Sequence, residues 1–187
     1  MDERKWIERI LAGDTQSFSC LVAKYEKMAY TIALRILENR EEAEEAVQDA
    51  FVKMYRALSD FHFDSKFSTW FYRIVYRTAL TALRQQRIFV NYEEVGSIDL
   101  LNDEVESATA LLEREDRKEM IARTLKKLRA DEALLLTLYY LEECSVEEIC
   151  QITELSASNV KVKLFRGRKR FYEVLQDKMK LETADLL

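Results

Sequence analysis

A chain of 187 residues with 48% hydrophobic side chains, no proline and three glycines excludes global disorder and argues against a turn-rich β fold. It allows one large or two small domains. The net charge of −5 hides a partition: residues 1–87 hold 14 basic and 13 acidic side chains, residues 88–116 one and nine, and residues 117–187 14 and 12. An acidic segment between two near-neutral blocks opposes binding to free DNA, so DNA contact is expected to need help from a partner. The apolar runs, such as 133–136, are too short to span a bilayer, and the start MDERKWIERI is charged and amphipathic, unlike a signal sequence. The expected location is the cytoplasm.

In chain order, residues 2–12 read as a short amphipathic helix with Gly13 as its stop, and Asp14 can cap the next helix. Phe18, Leu21, Val22, Tyr25, Met28, Ala29, Ile32 and Ile36 continue at helical spacing to about Leu37. Asn39 with Glu42 resembles a capping box, and Glu41, Glu42, Glu44 and Glu45 load the first turns of the following helix, where acids favour its dipole. That helix turns Ala46, Val47, Ala50, Phe51, Met54 and Leu58 to one side. Its exposed face offers Gln48, Asp49, Val52 and Tyr55, which suits either a docking surface or plain surface.

The stretch from Phe61 to Arg87 gathers Phe61, Phe63, Phe67, Trp70, Phe71, Tyr72 and Tyr76, and adds Lys66, Arg73, Arg77, Arg84 and Arg87 with no acid from residue 66 onward. From about Ser65 the pattern is helical. Aromatic rings beside a cationic stripe suit single-stranded nucleic acid, whose bases stack while cations follow the backbone. Trp70, Phe71 and Ile74 fit a packed core as well; Tyr72, Tyr76 and the arginines are the better candidates for contact. His62, between two phenylalanines, reads as structural.

Residues 88–112 contain Gly96 and no lysine or arginine, and read as an interdomain linker. A helix is expected from Glu113 to Leu128, then a turn at Arg129–Ala130, then an apolar helix from an Asp131 cap to Leu141. Ser145 with Glu148 is a capping box that should start a helix at Val146, edged by Ile149, Ile152 and Leu155. Ser156 offers the next N-cap, with Asn159 three residues on, and a helix should run from Ala157 and fray after Leu175. Val160, Leu164, Phe171 and Leu175 point inward by spacing. Six cations lie between Lys161 and Arg170, behind Ser158 and Asn159 in the first turn. Such a helix suits major-groove reading, with its flanks on phosphates, or a solvated basic face. Cys20, Cys144 and Cys150 form no CxxC pair; buried reduced thiols are expected and a metal site is not. No nucleophile–base pair suggests an enzyme.

These stretches resemble the ECF (extracytoplasmic-function) sigma factors of bacterial RNA polymerase. NREEAEEAVQDAFVKMYRAL is similar to region 2.2, FDSKFSTWFYRIVYRTALTALRQQR to regions 2.3 and 2.4, and TLKKLRADEALLLTLYYLEECSVEEICQITELSASNVKVKLFRGRKR to region 4. The resemblance implies an all-α chain: a region 2 domain over 1–90, an acidic linker over 91–112 and a region 4 helix-turn-helix domain over 113–180. It implies core polymerase docking by Val47, Gln48, Asp49, Phe51, Val52 and Tyr55. It implies −10 recognition and strand opening by Phe61, Asp64, Ser65 and Lys66, then Tyr72, Arg73, Tyr76 and Arg77. At the −35 duplex it places Ser158, Asn159, Lys161, Lys163, Arg166 and Arg170. It calls for no catalytic residue and no cofactor, and leaves room for an anti-sigma factor. The chain departs from the family where Glu154 stands in the turn that usually holds glycine, and where Ser156 replaces a common proline. Two other classes fit parts of the pattern: a stand-alone helix-turn-helix regulator of duplex DNA, which the Phe61–Arg87 cluster and the lack of net positive charge argue against, and a helical adaptor with two solvated basic faces.

Overall fold

Helix boundaries follow the local chemistry of the chain. The computed structural model describes residues 3–90 and 120–184. Helix α1 runs Glu3–Leu11, and the chain then turns at Gly13, whose φ of 98° suits a residue without Cβ. Helix α2 runs Gln16–Leu37. Its start is satisfied by the Asp14 carboxylate, which accepts from the Gln16 amide at 3.0 Å and the Ser17 hydroxyl at 3.0 Å. Helix α3, Arg40–Arg56, is capped by the Asn39 side chain, which accepts from the Glu42 amide at 3.1 Å. A 3₁₀ turn at Leu58–Asp60 and a loop lead into α4, Phe67–Val90.

Residues 120–126 form α5, followed by α6 (Ala130–Tyr140), α7 (Val146–Thr153) and α8 (Ala157–Ala184). The Ser145–Glu148 capping box is complete in both directions, at 3.2 and 2.8 Å. The Ser156 hydroxyl accepts from the Asn159 amide at 3.3 Å. No strand occurs among the described residues, in keeping with the all-α expectation. Several boundaries differ from the sequence reading, the start of the expected linker among them: α4 runs on through residues 88–90 to Val90. Helix α6 starts one residue before Asp131, whose carboxylate sits in the first turn and accepts from the Glu132 amide at 3.0 Å. Helix α8 continues to Ala184 instead of fraying after Leu175. The expected linker over 91–112, Gly96 and the first part of the expected 113–128 helix lie outside the described residues.

Helices α1 to α4 pack on one another, and α6 to α8 do the same. In the first group Ala29, Ala33, Ala43, Ala50 and Ala79 are fully buried, small enough to bring the helix axes close. Larger rings fill the remaining space: Phe51 meets Phe71 at 4.8 Å between centroids, Tyr25 meets Phe67 at 5.4 Å, and Phe61 meets Trp70 at 5.0 Å. In the second group Leu135, Leu138, Ile149, Ile152 and Val160 are buried. Close contact between α8 and α6 depends on Gly167, where an added Cβ would lie 3.3 Å from Glu132 Cβ and 3.3 Å from a Leu136 methyl. Of the three cysteines only Cys144 is buried, and burial pushes its thiol up to about 11; Cys150 is partly exposed, and Cys20 is exposed, contrary to expectation.

The two groups also pack against each other. Helix α4 lies along α7, and α2 meets α6. Arg35 of α2 donates across this boundary to the Leu125 carbonyl at 3.4 Å.

Candidate nucleic-acid interface

On α3 the helical period divides the expected docking residues into two sets. Gln48, Asp49, Val52 and Tyr55 are exposed, with Val52 and Tyr55 at 48% and 46%. Val47 and Phe51 were expected at the docking surface, but they face inward and are buried. Phe51 is held there by rings: Phe71 on one side and the edge of Phe18 at 6.5 Å on the other. Phe18 also meets the Tyr55 ring edge-on at 5.1 Å, which fixes Tyr55 at the rim of the core.

The loop before α4 presents Asp64 and Lys66 to solvent, with Ser65 half-buried. Phe61 is buried among Phe63, Phe67 and Trp70, so it supports the loop from beneath. Phe63, at a positive φ of 61°, stays partly exposed, with the Arg4 guanidinium 4.8 Å above its ring. The neighbouring His62 is exposed.

Along α4 the expected contact residues meet carboxylates from the other half of the chain. Tyr72, expected at the surface, is buried at 2% exposure, and its hydroxyl donates to Glu142 at 2.7 Å. Burial, then the bond to Glu142, drives its phenol far above the ordinary range. Lys66 pairs with Glu148 at 3.0 Å. Arg77 donates to the Glu154 carboxylate through Nε at 3.0 Å and also through its terminal nitrogen, and Arg73 reaches the same oxygen at 3.4 Å. The bond to Arg77 dominates in holding the Glu154 carboxyl below its usual range. Burial raises Glu148, but the Ser145 amide and Lys66 outweigh it and lower the group. Tyr76 is half-buried, and burial raises its phenol, with Glu154 and Asp131 adding to the effect.

On α8 the first turn is open. Ser158, Asn159, Lys161 and Arg166 are exposed. Lys163 and Arg170 turn instead to acids of α6: Lys163 pairs with Asp131, and Arg170 with the buried Glu132 at 2.7 Å. The sequence reading missed Val162 and Phe165, 46% and 65% exposed on the same face as Asn159 and Arg166. Their signal was present: both are apolar and fall off the Val160–Leu164–Phe171 core positions. It also missed the pairing of Glu142, Glu148 and Glu154 with Tyr72, Lys66, Arg73 and Arg77.

Two family models match the chain: sigma-70 region 2 over residues 21–88, and sigma-70 region 4 over residues 118–171. The RNA polymerase sigma-H factor of Pseudomonas aeruginosa is 30% identical over 181 residues, covering 93% of this chain and 94% of that one. The ECF RNA polymerase sigma-E factor of Escherichia coli is 31% identical over 170 residues, covering 87% and 88%. The chain belongs to the ECF sigma factors. As a sigma factor it binds core RNA polymerase and directs promoter-specific initiation of transcription. Neither a stand-alone regulator nor an adaptor is favoured. Two solved structures share its fold: the sigma factor RpoE of Bartonella quintana in complex with the anti-sigma factor NepR (TM-score 0.69, 18% identity, 86% of this chain and 98% of that one), and CnrH in complex with the cytosolic domain of CnrY (TM-score 0.61, 22% identity, 94% and 97%). Among the described residues of this sigma factor no helix is long and apolar enough to cross a membrane, and no cluster of His, Cys, Asp and Glu gathers to hold a metal ion.

Proposed function

We propose that this sigma factor divides its work between three surfaces, on a region 2 domain (1–90) and a region 4 domain (113–180) joined by the acidic segment 91–112. Gln48, Asp49, Val52 and Tyr55 dock on core polymerase, with Val47 and Phe51 supporting them from within. Asp64, Ser65, Lys66, Arg73, Tyr76 and Arg77 hold the unpaired −10 strand, and Phe61 and Tyr72 brace that face. Ser158, Asn159, Lys161 and Arg166 enter the major groove at −35, while Lys163 and Arg170 fix α8 on α6. The observation that carries this division is that α4 and α8 present separate cationic faces, one set beside a cluster of aromatic rings and one beside an open, Ser- and Asn-bearing first turn. The chain performs no catalysis; strand opening draws on binding to unpaired bases. It works in the cytoplasm with the polymerase, and an anti-sigma factor is a fitting regulator, as the NepR complex of the Bartonella quintana sigma factor suggests.

The test is permanganate reactivity of unpaired thymines at a promoter, with core polymerase, on ordinary and pre-melted templates. Arg77→Ala should impair opening and be partly rescued by a pre-melted bubble, because the cost of parting the duplex is then already met. Arg166→Ala should weaken −35 engagement and gain nothing from the bubble. Equal rescue of both would overturn the assignment.

A further inference from the structure

The loop between the 3₁₀ turn and α4 carries two phenylalanines with opposite fates. Phe61 is buried at 6% exposure against Phe67 and Trp70, whereas Phe63 is 40% exposed. Phe63 also holds a backbone φ of 61°, in the left-handed region that glycine enters freely and a bulky residue enters only at a cost. A ring so exposed returns little burial to the fold for that strain. What it gains is a fixed place. Its ring meets Phe61 at 4.7 Å between centroids, and the Arg4 guanidinium lies 4.8 Å from its own centroid. Arg4 is held in turn. Ile7 and Ile10 bury α1 against the bundle, and Glu3, beside Arg4, accepts from the Tyr25 hydroxyl of α2 and pairs with Lys24. Arg4 Nε donates to Glu8 at 3.2 Å, one turn along the helix. Backbone strain accepted for an exposed side chain, with a second helix steadying that side chain, marks a residue kept for contact.

We propose that Phe63 is the stacking platform for one unpaired base of the −10 strand, and that Arg4 of α1 is the positioning residue that holds its ring. The proposal rests on the reading of this loop and α4 as the strand-holding face, and adds to it a pair outside that set. Phe61, the ring the resemblance placed at the strand, is buried; Phe63, two residues on, offers the open π surface that a nucleobase stacks on. Lys66, three residues further, begins the row of cations that follows the backbone. Every base has a flat face, so a stack at Phe63 stabilises the open strand whatever base arrives there.

The experiment follows the lifetime of the holoenzyme on a pre-melted promoter template in which each unpaired non-template nucleotide in turn is made abasic. An abasic site keeps the sugar and phosphate and removes only the base. Phe63→Leu should shorten the lifetime on the intact template about tenfold, the scale of one lost stack. At a single position the abasic site should cost the wild type about as much and cost Phe63→Leu nothing further, because both changes remove the same contact. At the other positions the two losses should add. Phe63→Trp should restore the lifetime. Phe63→Gly relieves the strained backbone and should melt close to the wild type, while holding the strand no better than Phe63→Leu. Arg4→Ala should shorten the lifetime about two- to fivefold, Arg4→Lys should restore it, and neither should matter once Phe63 is leucine. Losses that add at every position, or an unchanged lifetime in Phe63→Leu or Phe63→Gly, would overturn the platform. A wild-type lifetime in Arg4→Ala would overturn the positioning role. Each of these results leaves the α4 assignment to stand or fall on the permanganate result for Arg77→Ala.

Discussion

On α4, Arg73 and Arg77 end on a carboxylate from the other half of the molecule; on α8, Ser158, Asn159, Lys161 and Arg166 are exposed. Both helices carry a row of cations, and by composition they are alike. They differ in what answers the charge. Arg73 and Arg77 of α4, with Lys66 just before it, meet Glu154 and Glu148 from a distant stretch of sequence, whereas α8 has two populations, one facing solvent and one (Lys163, Arg170) facing the acids of α6. A basic helix therefore measures potential contact, and only the partner of each cation says which contacts are available.

The strongest way to break this comparison is to exchange the two populations of α8. Arg170→Ala leaves the buried Glu132 carboxylate without its 2.7 Å partner and should destabilise the region 4 half by about 2–3 kcal/mol in urea unfolding. Arg166→Ala, on the exposed face, should stay within about 0.5 kcal/mol of wild type. Similar losses for both would mean that Arg170 belongs with the DNA-facing set. Gly167→Val comes next. A branched side chain against Glu132 and Leu136 overpacks the α6–α8 contact and should cost about 1–3 kcal/mol, without altering single-strand binding through α4.

Phe165→Ala sharpens the comparison from the DNA side. Its ring is 65% exposed, so removal should leave stability nearly unchanged while lowering affinity of the polymerase-bound factor for the −35 duplex about five- to tenfold, by loss of apolar contact with base edges. Unchanged −35 affinity in a filter-binding assay would count against placing that face in the groove. The smallest effect is that of salt on the free protein. The pairs of Glu154 with Arg73 and Arg77 involve side chains 46–56% exposed, and screening weakens such pairs. Scattering should show a slight expansion between low and high salt, and less in Glu154→Gly.

What the sequence made legible is what local chemistry decides. Gly13, Asn39, the Ser145–Glu148 box and Ser156 act on backbone groups a few residues away, and the helices start or stop beside them. The inward faces of α2, α3 and α8 followed from spacing alone. What stayed hidden came from far along the chain. Tyr72 was expected at the surface, and it is buried with its hydroxyl on Glu142, 70 residues away. Lys163 and Arg170 looked free because Asp131 and Glu132 lie 32 and 38 residues earlier. Val47 and Phe51 were placed with the docking residues by resemblance, while their own helical spacing pointed inward; the structure follows the spacing.

Glu148 has one carboxylate with two assignments. Its Oε2 accepts from the Ser145 amide at 2.8 Å and its Oε1 holds Lys66 at 3.0 Å. Releasing Lys66 leaves the first turn of α7 still tied, so the two halves can separate as rigid bodies with no helix end unravelling. The carboxylate also remains aimed where Lys66 will return, so reclosure starts from a preorganised receptor and little conformational entropy is lost on that side of the contact.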